Sequence, residues 1–225
     1  MELGWVATDC VSQARRIPNT LRLKRAFGYR IIEAVLKADI VESAKFTPTE
    51  LTILVAEAVS WWELQREKFL PLGIPLSNAQ QTQLIPFFTA ELLDQVRIVK
   101  LTQTGESIPY PPFYEKLLAT GSSIIPDPAH MTGMPFIDVV VFNDEPTPRA
   151  IFHMLVHVAQ LSLIGPERVL EAYLRILNEQ GLWAVVPFEE PAYQLDARYT
   201  GNPADCLSVE EEVREWLRSR RYYKE

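Results

Sequence analysis

The chain has 225 residues, 48% hydrophobic and 23% charged, with a net charge of −7 and two cysteines. That length suits one domain, or one domain with a helical extension, and the composition excludes wholesale disorder. The acidic balance argues against a general nucleic-acid binder, which needs a basic surface against phosphate, and no apolar run reaches the roughly 18 residues that span a membrane.

The opening segment Met1-Glu2-Leu3-Gly4-Trp5 lacks the basic and apolar regions of a secretion signal, so a cytoplasmic location is expected. Cys10 and Cys206 make no metal-binding or redox spacing and are expected to stay reduced. Two basic stretches, Arg15 to Arg30 and Arg218 to Lys224, read as solvated faces. The first predicted helix contains Ile31, Ile32, Val35, Leu36 and Ile40 at helical spacing. A second begins at Thr47, where Pro48 and Glu50 complete a capping box, and runs to about Phe69 before Pro71-Leu72-Gly73 stops it. Its aromatic cluster Trp61, Trp62 and Phe69 reads as core packing.

Pro86 to Leu93 reads as a short helix, and Val96 to Leu101 alternates apolar and basic residues like a half-buried strand. The stretch Thr102 to Met134 is rich in Pro, Gly and Ser and reads mostly as loop, of the kind that walls a cleft. Phe136 to Phe142 reads as one continuous strand. Helices are then predicted from Pro148, capped by Thr147, to Leu163 with a stop at Gly165-Pro166, from Pro166 to Gln180, from Glu189 to about Arg198, and after the capping residue Ser208. The fold class expected is α+β, with a helical N-terminal portion over residues 1–75 and a second portion over 76–225, either as two portions or as one continuous domain.

His153 and His157 lie four residues apart on the Pro148 helix, so their imidazoles leave the same face and can grip one metal ion. They are two of only three histidines in the chain. Spacing alone leaves a second reading open, in which both are ordinary residues of an amphipathic helix whose apolar stripe includes Ile151, Leu155 and Val158.

The segment Ile151-Phe152-His153-Met154-Leu155-Val156-His157-Val158-Ala159-Gln160 resembles the metal helix of the zincin metallopeptidases, whose pattern is His-Glu-x-x-His. Val186-Pro187-Phe188-Glu189-Glu190-Pro191-Ala192-Tyr193 looks like the third-ligand helix of the gluzincin branch. The resemblance covers roughly Phe136 to Tyr199 and implies a zincin-like fold with a small sheet beside the metal helix. It implies zinc as cofactor, His153 and His157 as imidazole ligands and Glu189 as carboxylate ligand, with Glu190 a competitor. Asp196, two turns after Glu189, would orient a ligand histidine. His130 is a candidate to face a substrate or add a ligand, with loop exposure as the alternative, and Tyr193 and Tyr199 are candidates to face the substrate and stabilise an oxyanion, with packing as the alternative.

The sequence departs from the family pattern at Met154. The peptidases carry a glutamate there as general base, and a thioether cannot accept a proton. The resemblance therefore implies a zinc-binding protein whose peptidase chemistry is lost or altered, with a peptide or protein as partner. Two other functions remain open: a metallohydrolase using another base such as Glu190, and a structural or interaction protein without metal. Nothing in the sequence indicates an oligomeric state.

Overall fold

The computed structural model describes residues 45–120, 125–180, 187–202 and 206–219, which belong to one compact unit beginning at Glu42. The predicted helix around Ile31 to Ile40, Cys10, the basic stretch Arg15 to Arg30, and Arg220, Arg221 and Lys224 lie outside the described residues.

The architecture is α+β, with a small four-stranded mixed sheet surrounded by helices. Helix α1 (Pro48–Phe69) starts where Thr47 Oγ1 accepts from the Glu50 amide and the Glu50 side chain accepts from the Thr47 amide, a closed capping box. Strand β1 (Ile74–Pro75) follows, then helix α2 (Asn78–Leu84), capped by Ser77 and Gln80 in the same manner. The predicted Pro86–Leu93 helix is shifted. Helix α3 covers Ala90–Gln95, because the Thr89 hydroxyl, not Pro86, caps the first turn. Strand β2 (Arg97–Lys100) has Ile98 and Val99 both buried, so it is covered on two faces and not half-exposed as its alternation suggested. Within the expected loop a short helix, α4 (Tyr114–Leu118), buries Leu117.

The strand expected over Phe136 to Phe142 is instead a hairpin. Strands β3 (Gly133–Phe136) and β4 (Val139–Phe142) pair antiparallel around the two-residue turn Ile137–Asp138. Ile137 sits at φ 63°, unusual for a β-branched residue, so local preference does not make this turn. Arg66 of α1 reaches across and holds the Asp138 carboxylate with two hydrogen bonds of 2.5 and 2.9 Å. Strand order is β1-β2-β4-β3, with β2 and β4 parallel, which leaves β3 at an edge. Along central β4, Val140 and Phe142 join one apolar core while Val139 and Val141 join another. The first core contains most of helix α5 (Pro148–Ile164); the second contains α1.

Helix α5 is nearly all apolar and buried, capped by Thr147 with Pro148 in its first turn and ended by Gly165 at φ 91°. Helix α6 (Pro166–Gln180) turns the chain back and packs on α1 and α5. Helices α7 (Glu189–Gly201) and α8 (Val209–Arg218) then both lie against α5. No helix among the described residues is long and apolar enough to cross a membrane.

Candidate metal centre

His153 and His157 project from one face of α5, their side chains only 10% and 8% exposed. Their Nε2 atoms stand 3.1 Å apart. Glu189, in the first turn of α7, places Oε2 at 3.5 Å from His153 Nε2 and Oε1 at 3.5 Å from His157 Nε2. Three donor atoms from two helices thus converge on one point, a buried cluster that could hold a metal ion. Ligands bound tetrahedrally at about 2.1 Å stand about 3.4 Å from one another, so the observed separations fit a small divalent ion.

Hydrogen bonding assigns the tautomers. Gln160 lies one turn beyond His157 and donates its amide to the Phe188 carbonyl at 3.0 Å. Since a carbonyl only accepts, the other end of that amide is oxygen, and it accepts from His157 Nδ1 at 2.8 Å. His153 Nδ1 donates likewise to Asp196 Oδ2 at 3.0 Å. Both Nδ1 atoms therefore carry protons, and in the neutral rings both Nε2 lone pairs aim into the same gap. Two such lone pairs repel unless a cation or a proton sits between them.

The orienting groups are themselves held. Asp196 is 2% exposed and receives two hydrogen bonds from Arg149, which lies one helical turn before His153. Tyr173 of α6 donates to Glu189 Oε1 at 2.8 Å. Burial alone would lower the pKa of His153, but hydrogen bonds to Asp196 and Glu189 and their negative charge overcome this and push it up to about 9. Burial opposes the Glu189 charge too, yet the charge of His157 and hydrogen bonds from both imidazoles hold its carboxyl well below the usual range. For Tyr193, burial and then the charges of Glu189 and Asp196 raise the phenol.

The triad forms part of the wall of a cavity of about 700 Å³. Met154 lies on that wall, 9% exposed, with His153 and His157. Tyr193 is there too, its ring 4.7 Å from that of His153. His130 lies at the cavity rim with its side chain 84% exposed, as the loop-exposure alternative has it, and its Nδ1 is 2.8 Å from Asp127. Glu190 does not join the cluster. It is exposed and accepts from Gln194 at 3.2 Å. Tyr199 stacks on Phe152 with centroids 4.3 Å apart and serves packing.

Five residues of this region carry no site role in the sequence analysis. Arg149 was detectable in principle, four residues before His153 on the same helix face. Gln160 is a buried amide in an otherwise apolar stretch, which is itself a signal. Tyr173 leaves no local mark. Trp61 and Trp62, expected as packing alone, also line the cavity.

Compared with protein-family models, with curated proteins and with solved structures, the chain finds no match in any of the three.

Proposed function

We propose that this is a zinc-binding protein with a gluzincin-like ligand set, His153, His157 and Glu189, whose peptidase chemistry is lost or altered because Met154 occupies the general-base position. The observation that carries the reading is the convergence of two Nε2 lone pairs and a buried carboxylate at separations of 3.1 and 3.5 Å. Two imidazoles and one carboxylate are the donors zinc prefers when one coordination position stays open for a ligand. The order of elements also supports it: a metal helix preceded by a hairpin at the sheet edge, then a returning helix, then the helix bearing the carboxylate.

Zinc held there supplies Lewis-acid polarisation of an oxygen ligand. The protein's own groups do the rest. Asp196 and Gln160 fix the rings through Nδ1, which leaves Nε2 as the ligand atom, Tyr173 anchors Glu189, and Arg149 balances the Asp196 charge. Met154 offers the cavity a polarisable apolar surface and no base.

Elemental mass spectrometry of the untagged chain tests this. About one zinc per chain is expected, falling to near zero in His157→Ala and Glu189→Ala. Absence of zinc from the parent chain after incubation with the ion would end the reading. In the zinc-loaded protein, Met154→Glu restores a carboxylate beside the ligands and should raise hydrolysis of a peptide library by about 10²-fold or more, since general-base terms are worth 10²–10⁴.

One observation favours a second reading, an active hydrolase with a different base. His130 shares the cavity and is oriented by Asp127, which also accepts from Tyr110 at 2.6 Å. With Nδ1 donating to Asp127, its Nε2 is left as acceptor. Turnover by the parent chain that vanishes in His130→Ala with zinc retained would select this reading.

A further inference from the structure

The charged residues on the cavity wall are Arg149, Glu189 and Asp196, all within the hydrogen-bond network of the triad. Elsewhere the wall is dominated by apolar and aromatic groups, among them Trp61, Trp62, Phe113, Leu117, Met134 and Leu174. The cavity is therefore amphipathic, with a polar end at the metal ligands. Its volume of about 700 Å³ is that of a site for a small molecule.

The backbone beside it is closed to a polypeptide strand. Asn143 donates to the Thr132 carbonyl, so by antiparallel alternation Met134 and Phe136 face β4, and Gly133 and Pro135 face outward. Pro135 has no N–H to offer, and its carbonyl already accepts from Trp62 Nε1 at 2.6 Å. An extended peptide laid along β3 would find only Gly133 to pair with, too little for a ladder.

Charge selects the head group of a smaller occupant. With a divalent ion on the triad, the formal charges of the ion, Glu189, Asp196 and Arg149 leave one positive charge uncompensated. We propose that the cavity binds a compact apolar monocarboxylate, an alkyl or aryl-alkyl acid, with its carboxylate at the His153–His157–Glu189 cluster and its hydrocarbon against the tryptophan-lined wall. This rests on the metal-binding reading above and names the ligand class of that site.

The test uses the full chain loaded with zinc, its metal content verified, titrated calorimetrically with butyrate, hexanoate, octanoate and octan-1-ol. Affinity should rise about fourfold per methylene added, as burial of about 0.8 kcal/mol each implies. Octan-1-ol, and octanoate offered to the zinc-free chain, should bind at least tenfold more weakly than octanoate with zinc. Met131→Trp, which fills the cavity from its loop wall, should keep its zinc and lose octanoate binding. A zinc-loaded chain that ignores octanoate, or binds it equally without zinc or in Met131→Trp, overturns the proposal and leaves the metal site standing. Binding of a peptide ending in phenylalanine with no binding of the free acids also overturns it. A chain that takes up no zinc fails one step earlier, and both readings fall together.

Discussion

With Nδ1 of His153 committed to Asp196 and Nδ1 of His157 to Gln160, a further proton on the pair sits on an Nε2 atom that faces both the other imidazole and Glu189. His153 holds that proton up to about pH 9 in the metal-free protein, above its ordinary value of 6.5. Its contribution to stability is thus fully present below about pH 6.5 and is lost as pH rises toward 9. Glu189 has the opposite sign: its depressed pKa contributes stability above the ordinary carboxylate range, lost as pH falls through the depressed value. The melting temperature of metal-free protein should therefore fall on the alkaline side between these two histidine values, and saturating zinc should abolish that fall. Zinc uptake at pH 7 should release about one proton, measurable by calorimetry in buffers of different ionisation enthalpy. Uptake without proton release would show that the gap holds no proton. The histidine pair and Glu189 were legible in the sequence because a helical period and a short segment pattern carry them. Gln160 was not, because its orientation depends on the carbonyl of Phe188, a residue remote in sequence.

Helices were legible largely through their ends. The caps at Thr47, Thr147 and Ser208 and the stop at Gly165 stand where the sequence places them, because each is a hydrogen bond or dihedral preference within four residues. Helix α2 obeys the same rule, with Ser77 and Gln80 forming a capping box that went unread. The β3–β4 hairpin broke the pattern. Val139 to Phe142 and the residues before Ile137 are all apolar, and Ile137–Asp138 carries no ordinary turn signal. The turn is held from outside by Arg66, at the expense of a β-branched residue at φ 63°. Ile137→Asn, which tolerates that conformation, should stabilise the protein by about 1 kcal/mol in chemical denaturation. A loss of similar size would mean that the packing of the Ile137 side chain outweighs its backbone strain.

At the scale of the molecule, the His153–His157–Glu189 cluster joins α5 to α7, and α6 supports it through Tyr173. An ion bound only by the folded state stabilises it by RT ln(1 + [zinc]/Kd), about 2.7 kcal/mol at a free concentration 100-fold above Kd. For a domain of this size that is a rise in Tm of roughly 5–10 °C. Chelation should reverse it and His157→Ala should show none of it, checked by differential scanning calorimetry. An identical Tm with and without chelator in zinc-loaded protein would place the ion away from the folded core.

By itself the sequence determined the α+β class, the limits of most helices and the pairing of His153 with His157 on one helical face, since all of these depend on contacts within a few residues. The tertiary structure alone decided that the Glu189 carboxylate meets both imidazoles, that Asp196 and Gln160 aim them, and that Trp61, Trp62 and Met134 line one cavity with Met154. These groups come from segments far apart in the chain. Only long-range packing of α1, α5, α6 and α7 around the sheet brings them together, and no local period or propensity encodes such a meeting.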